Sequence, residues 1–180
     1  MHFKKIVGEK VYLSPRSVED AEKYVEMLSK YDISKFLDQN SKIITVEREK
    51  EYLLKNESDA YNFAIIDNKT DALIGSIGLM NVENIHRTAE LGIFIGEEDH
   101  LSHGYGSEAI KLLLDFGFNQ LNLNNIMLKA ISFNKRALRA YEKCGFKLFG
   151  TWPSSHYFEG KYHDLVYMYI TKDDFNNNKQ

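Results

Sequence analysis

The sequence predicts a mixed α/β (α+β) fold in a single domain. Two of the observations behind this are local patterns: an early pair of strand-like runs joined by a short turn, and a later helix lying between two apolar strands. The third is length, because 180 residues fit one hydrophobic core and require no second domain. The domain is expected over residues 1–180, with its core at about 11–170 and a frayed tail at 171–180.

Val11, Tyr12 and Leu13 read as a short strand that stops at Pro15. Ser17 suits the N-cap of a helix from Val18 to about Leu28, whose inner face is Val18, Ala21, Val25 and Leu28. A looser stretch from Asp32 to Lys42 carries Phe36 and Leu37, and a second helix opens near Thr45 and runs through Tyr52 and Leu53. Tyr61–Ile66 and Leu73–Val82 form the hairpin, with Asp67, Asn68, Lys69, Thr70 and Asp71 as its turn. The apolar run Leu91–Ile95 suits a buried strand. A helix over Tyr105–Phe118 follows, with Ala109, Leu112, Leu113 and Phe116 on one face. Ile126–Ile131 is the next strand, Asn134 caps a helix that ends at Lys143, and Gly145 occupies the left-handed C-terminal position. Strands around Phe146–Trp152 and Leu165–Ile170 complete the set.

Composition narrows the function classes. A net charge of −3 with no long run of Lys or Arg argues against a nucleic-acid surface. The single cysteine, Cys144, excludes an internal disulfide. The polar start of the chain reads as neither signal peptide nor membrane anchor, so the expected compartment is the cytoplasm. Glu97, Glu98, Asp99, His100 and His103 match no spacing of a structured metal site, and no metal is assigned.

His103-Gly104-Tyr105-Gly106-Ser107 is the most informative stretch. Two glycines one residue apart allow close approach of the backbone to an anion, and the helix behind them aims its unpaired N–H groups and positive dipole end at the same point. Residues of about Ser102 to Ser107 therefore form a candidate phosphate seat. The turn lacks the Gly-Lys-Ser/Thr ending of a P-loop, which counts against a nucleotide-binding domain.

Four ordered blocks carry a family resemblance: Ile85–Leu91, the turn at Gly104–Gly106, Leu121-Asn122-Leu123, and Asn134–Phe146. Together they resemble the GNAT-type N-acetyltransferases, in the branch of ribosomal-protein N-terminal and spermidine acetyltransferases. The resemblance covers about Val11–Ile170 and departs from the family at Leu101, where Gln or Arg is frequent. It implies a central, mostly antiparallel twisted sheet, splayed at the cofactor site. The implied cosubstrate is acetyl-CoA, with its pyrophosphate over the backbone of Ser102, His103, Gly104, Tyr105, Gly106 and Ser107. Its pantetheine arm would pair with the backbone of Ile93, Phe94 and Ile95 as an added strand.

The resemblance also places Asn134 on the pantetheine, beside its ordinary role as helix cap. Tyr141 lies seven residues on, about two helical turns, and so shares the face of Asn134. A phenol suits protonation of a departing thiolate, which makes Tyr141 the candidate general acid. The attacking ammonium must lose a proton, and Glu90 and Glu83 are the candidate carboxylates; a salt-bridged role for Glu90 stands equally. Phe36 and Leu37 correspond to the acceptor mouth in the resembling family. The implied reaction is direct attack of a primary amine, from a small molecule or a peptide N-terminus, on acetyl-CoA. A noncatalytic acyl-CoA-binding module is the alternative, and it would not need Tyr141. Glu19, Asp20, Glu26, Asp32 and Asp38 place negative charge near the expected acceptor lobe without identifying the amine. The aromatic residues Trp152, Tyr157 and Phe158 suggest a homodimer surface.

Overall fold

The computed structural model describes residues 1–37, 42–55 and 60–177. Its eight strands form one sheet in the order β1-β2-β3-β4-β5-β6-β8-β7, antiparallel throughout except for the β5–β6 pair. The strands are β1 (Ile6–Val7), β2 (Val11–Pro15), β3 (Tyr61–Asp67), β4 (Leu73–Glu83), β5 (Thr88–Ile95), β6 (Asn125–Ile131), β7 (Lys147–Phe158) and β8 (Lys161–Thr171). The hairpin of β3 and β4 and the parallel step from β5 to β6 are where the sequence puts them. Both terminal strands run longer than expected, because β7 and β8 face each other over a tip closed by Glu159 and Gly160, both at positive φ.

The helices are α1 (Ala21–Ser29), α2 (Tyr31–Ser34), α3 (Val46–Leu54), α4 (Tyr105–Asp115), α5 (Lys135–Lys143) and α6 (Lys172–Asn177). Ser17 does cap, but the first turn over Val18–Asp20 is a 3₁₀ turn that feeds α1. The expected inner face of that helix shifts accordingly, and its buried residues are Ala21, Tyr24 and Met27. The helix foreseen through Phe118 ends its α-helical part at Asp115 and continues as a π-helical turn, Phe116–Gln120. That wider turn buries Phe116, Gly117 and Phe118 together.

The tail also departs from expectation. Lys172–Asn177 folds as a helix rather than fraying, since Phe175 is buried with its ring 5.3 Å from that of Phe118. The core likewise reaches back to Ile6, which packs on the main cluster.

Strand alternation divides the buried side chains between the two faces of the sheet. Leu13, Phe63, Ile65, Ile77, Leu79 and Leu91 pack with Ala109, Leu113 and Leu114 of α4 on one side. Tyr12, Ala64, Ile66 and Leu73 pack with Tyr24 and Met27 of α1 on the other. Each fully buried Leu or Ile contributes roughly 1.5–3 kcal/mol by removal of apolar surface from water. Among the described residues no helix is long and apolar enough to cross a membrane.

Candidate active site

The site begins where two strands part. β5 and β6 stay in parallel register for only three residue pairs, Thr88 with Asn125, Ala89 with Ile126 and Glu90 with Met127. Beyond Glu90, β5 continues to Ile95 with β4 on one side only, so the backbone of Ile93, Phe94 and Ile95 faces an opening on the other. A cleft of about 1310 Å³ occupies that opening and runs on over the α1 and α3 side of the sheet.

The glycine turn forms one end of the cleft. Gly104 is the N-cap of α4 with φ +88°, and no side chain caps the N–H groups of the first turn of the helix among the described residues. Those N–H groups stay open to an anion, and the helix dipole favours one. Ser102 also holds a positive φ, 65°. Leu101, Ser102, Gly104, Gly106 and Ser107 line the cleft. His103 and Tyr105 do not line it: the His103 carbonyl accepts from Lys10 Nζ at 2.8 Å, and the Tyr105 ring lies 4.7 Å from His100. Gly106 faces Ile93 and Ile95, and a Cβ built there would sit in ordinary contact at 3.6 Å from Ile95.

Helix α5 supplies the opposite wall. The Asn134 carboxamide oxygen accepts from the Ala137 N–H at 3.2 Å, so its capping role is occupied while its NH₂ group is left to donate into the cleft. Tyr141 is buried, and burial first, then the nearby Cys144, pushes its phenol up to about 12. Arg136, Arg139 and Lys143 lie along the same wall and bring positive charge. Cys144 is itself buried, its thiol is pushed up by burial, and its Sγ lies 3.6 Å from the Ser107 carbonyl.

The two candidate carboxylates separate. Glu90 lines the cleft, ion-paired to Lys129 Nζ at 3.1 Å and 3.4 Å from the Asn81 amide nitrogen. Glu83 sits at the far end of β4, exposed and opposite Thr88, and does not line the cleft. The reason is its place in the ladder: its partner Thr88 is still paired with Asn125 of β6, so the sheet is closed there. Phe36 and Leu37 do reach the cleft, and the Phe36 ring packs 5.7 Å from Phe133.

Of the acidic residues near the acceptor lobe, Asp38 lies outside the described residues. Glu19 pairs with the N-terminus, Asp20 with His2, Glu26 with Lys23, and Asp32 with Lys35, and none of these four lines the cleft. Among the loop residues once weighed for a metal, Glu97 pairs with Lys23 and Lys30, and His100 with Asp67 at 2.9 Å.

Sequence reasoning overlooked the floor. Asn62, Gly78 and Gly92 form one row across β3, β4 and β5, with Ala64, Ser76 and Phe94 in the next. A Cβ at Gly78 would meet Asn62 Oδ1 at 2.2 Å, and one at Gly92 would meet Met80 Cε at 2.8 Å. The missing side chains at Gly78 and Gly92 thus make room for Asn62 and Met80, which lie across the floor of the cleft. Their pairing depends on register between distant strands, and glycine spacing along the chain does not show it. Arg16, Tyr24, Glu49 and Lys129 were missed as well, because each reaches the cleft only through tertiary packing.

Comparison with known proteins agrees with this arrangement. Residues 10–147 match the family described as the acetyltransferase (GNAT) domain. A spermidine N(1)-acetyltransferase of Vibrio cholerae is 33% identical over 116 residues, covering 64% of this chain and 66% of that one. An uncharacterized N-acetyltransferase, p20, of Bacillus licheniformis is 30% identical over 159 residues, covering 78% and 88%. Among solved structures, the Vibrio cholerae spermidine N-acetyltransferase in complex with CoA and spermine superposes with a TM-score of 0.86 at 26% identity, over 94% of this chain and 100% of that one. A GNAT-family acetyltransferase from Bacillus anthracis gives 0.81 at 25% identity, over 93% and 98%.

Proposed function

We propose, for a chain that belongs to the GNAT acetyltransferase family, a direct transfer of acetyl from acetyl-CoA to the primary amine of a small molecule, with Tyr141 as general acid. As a member of that family it is an acetyl-CoA-dependent N-acetyltransferase. The observation that carries the reading is the continuity of the cleft, which links the open N–H groups at the start of α4, the unpaired edge of β5 and Tyr141.

The backbone amides from Ser102 to Ser107 would hold the pyrophosphate, and Arg136, Arg139 and Lys143 would add screening charge. Ile93, Phe94 and Ile95 would pair with the pantetheine amides, and the NH₂ of Asn134 would donate to one of their carbonyls. This fixes the thioester beside Tyr141. A neutral amine then attacks the thioester carbonyl, the tetrahedral oxyanion collapses, and the carbon–sulfur bond breaks. The leaving sulfur takes its proton from the Tyr141 hydroxyl. A phenol held near 12 stays protonated throughout the working range, so it is always ready as a donor. A phenol at about 12 is a weaker acid than an ordinary thiol at about 8.5, and desolvation narrows that gap by raising the basicity of a thiolate formed next to it. Glu90 would receive the proton of the ammonium directly or through water, with Lys129 fixing its position.

The names of the relatives support an amine acceptor, since the Vibrio cholerae relative is a spermidine N(1)-acetyltransferase. A peptide N-terminus is the narrower alternative. The edge strand β7 exposes Phe149, Trp152 and Tyr157, and a second copy of the chain pairing there would cover them. Acetyl-CoA supply fits action in the cytoplasm. The deciding experiment is a panel of amines and short peptides incubated with acetyl-CoA, with release of the CoA thiol as the readout. Acetylation of an amine is expected, and thiol release that no amine increases would end the reading.

A further inference from the structure

We infer that Arg16, Tyr24 and Glu49 form the acceptor-recognition pocket, and that the acceptor is an amine bearing a carboxylate rather than a polycation. The inference rests on the acetyltransferase reading above and narrows its substrate.

Three elements meet at this pocket. Arg16 follows β2, Tyr24 belongs to α1 and Glu49 to α3, and all three line the cleft on the side away from α4. The Arg16 guanidinium stacks 5.0 Å from the Tyr52 ring of α3 and makes no ion pair within 4 Å among the described residues. Tyr24 is 2% exposed, and its hydroxyl is buried without a hydrogen-bond partner among the described residues. Its neighbour Ser76 donates its own hydroxyl to the Phe63 carbonyl. Glu49 is buried too, and burial raises its carboxyl while Arg16 opposes the rise.

The pocket adjoins the place of reaction. Tyr24 lies 6.2 Å from Phe94, whose row on the sheet is next to that of Asn62, Gly78 and Gly92. Neighbouring rows on one face are two residues apart, or about 7 Å along a strand. An amine seated over the glycine floor would therefore place a group a few bonds away against Arg16 and Tyr24.

Charge selects what that group is. The described residues lining the cleft include Arg16, Lys42 and Arg48 toward α3, against Glu49 alone; Glu90, further along, is already matched by Lys129. A second or third ammonium on the acceptor would meet these cations, with Glu49 the one carboxylate there among the described residues. A carboxylate would gain the Arg16 fork, while Glu49 is left to hold the neighbouring ammonium.

The test uses the full chain with glycine, β-alanine and alanyl-alanine, each beside its own carboxamide, and with spermidine, at saturating acetyl-CoA. We expect at least one carboxylate acceptor to exceed its carboxamide by about tenfold or more in kcat/KM, through KM, and to exceed spermidine. Arg16→Gln should erase the ratio and leave the KM for acetyl-CoA unchanged. Arg16→Lys should restore part of it, which a merely structural arginine would not do. Spermidine preferred over every carboxylate acceptor, or a ratio that Arg16→Gln does not alter, overturns the inference and leaves the acetyltransferase reading standing. Acetylation of no amine at all, with acetyl-CoA bound, overturns both.

Discussion

Glu90 and Lys129 meet where β5 and β6 part, carboxylate to ammonium at 3.1 Å, with Glu90 in the last residue pair and Lys129 just beyond it. The pair closes the apex of the cleft and points the carboxylate into it. Lys129 is 46% exposed at its side chain, so the ion pair itself is worth little, below about 1 kcal/mol after solvent screening. Lys129→Met should leave the denaturation midpoint almost unmoved. Glu90→Gln should lower kcat about 100-fold if the carboxylate takes the proton. Steady-state rates beside urea melts check both, and an unchanged kcat in Glu90→Gln would hand the proton to water.

Tyr141 is the sharper case. Tyr141→Phe removes one oxygen from a buried ring and should cut kcat about 100-fold while the Kd for CoA changes little. The pH dependence has a definite sign. A phenol raised to about 12 is active while protonated, so kcat should show no descending limb from this group until the pH approaches 12. The same shift bears on stability. The folded value lies above the ordinary one of 10, so the contribution is complete below pH 10 and is lost as the pH rises from there through about 12. A descending limb near pH 9 that disappears in Tyr141→Phe would contradict this assignment.

The two glycines of the turn should separate cofactor binding from folding. Gly104 holds φ +88°, where an alanine costs about 1–2 kcal/mol, so Gly104→Ala should lower both stability and acetyl-CoA affinity. Gly106 is the second residue of α4, and a Cβ there makes only ordinary contacts. Gly106→Ala should leave the melting temperature unchanged or raise it, since alanine favours a helix by about 1 kcal/mol over glycine. Yet that methyl projects toward the cleft and should weaken acetyl-CoA. Thermal melts with and without CoA measure the two effects, and equal CoA affinity in Gly106→Ala would place the anion elsewhere.

What the chain discloses by itself follows from how local each determinant is. The hairpin of β3 and β4, the Asn134 cap and the left-handed Gly145 at φ +95° depend on neighbours within a few residues, and all were legible. The glycine turn was legible as a turn, because Gly104, Gly106 and the helix behind them are adjacent in sequence. Arg16 and Glu49 were not, since they are thirty-three positions apart and become neighbours only when α3 packs beside α1. The Gly78 and Gly92 floor failed for the same reason. Where Glu83 lies relative to the cleft was not legible, because it depends on how far β5 and β6 stay paired, which residue spacing does not show.

The C-terminal helix shows how one side chain overrides composition. Lys172–Asn177 is polar enough to suggest a loose end, but Phe175 is only 5% exposed and sits in the pocket left by the π-helical turn, against Phe118. Asp174 secures the approach, accepting from Lys147 Nζ at 2.6 Å and donating its N–H to Thr171 Oγ1 at 3.1 Å. Phe175→Ala would empty a buried aromatic site and should cost about 3 kcal/mol. Because Phe118 leads into Leu123 and the β6 strand that forms one side of the cleft, the loss should also loosen the splay at Glu90. Urea denaturation gives the first quantity, and the KM for acetyl-CoA in the same variant gives the second. A loss below about 1 kcal/mol would mean that α6 is an ornament on the surface, and that the core closes without it.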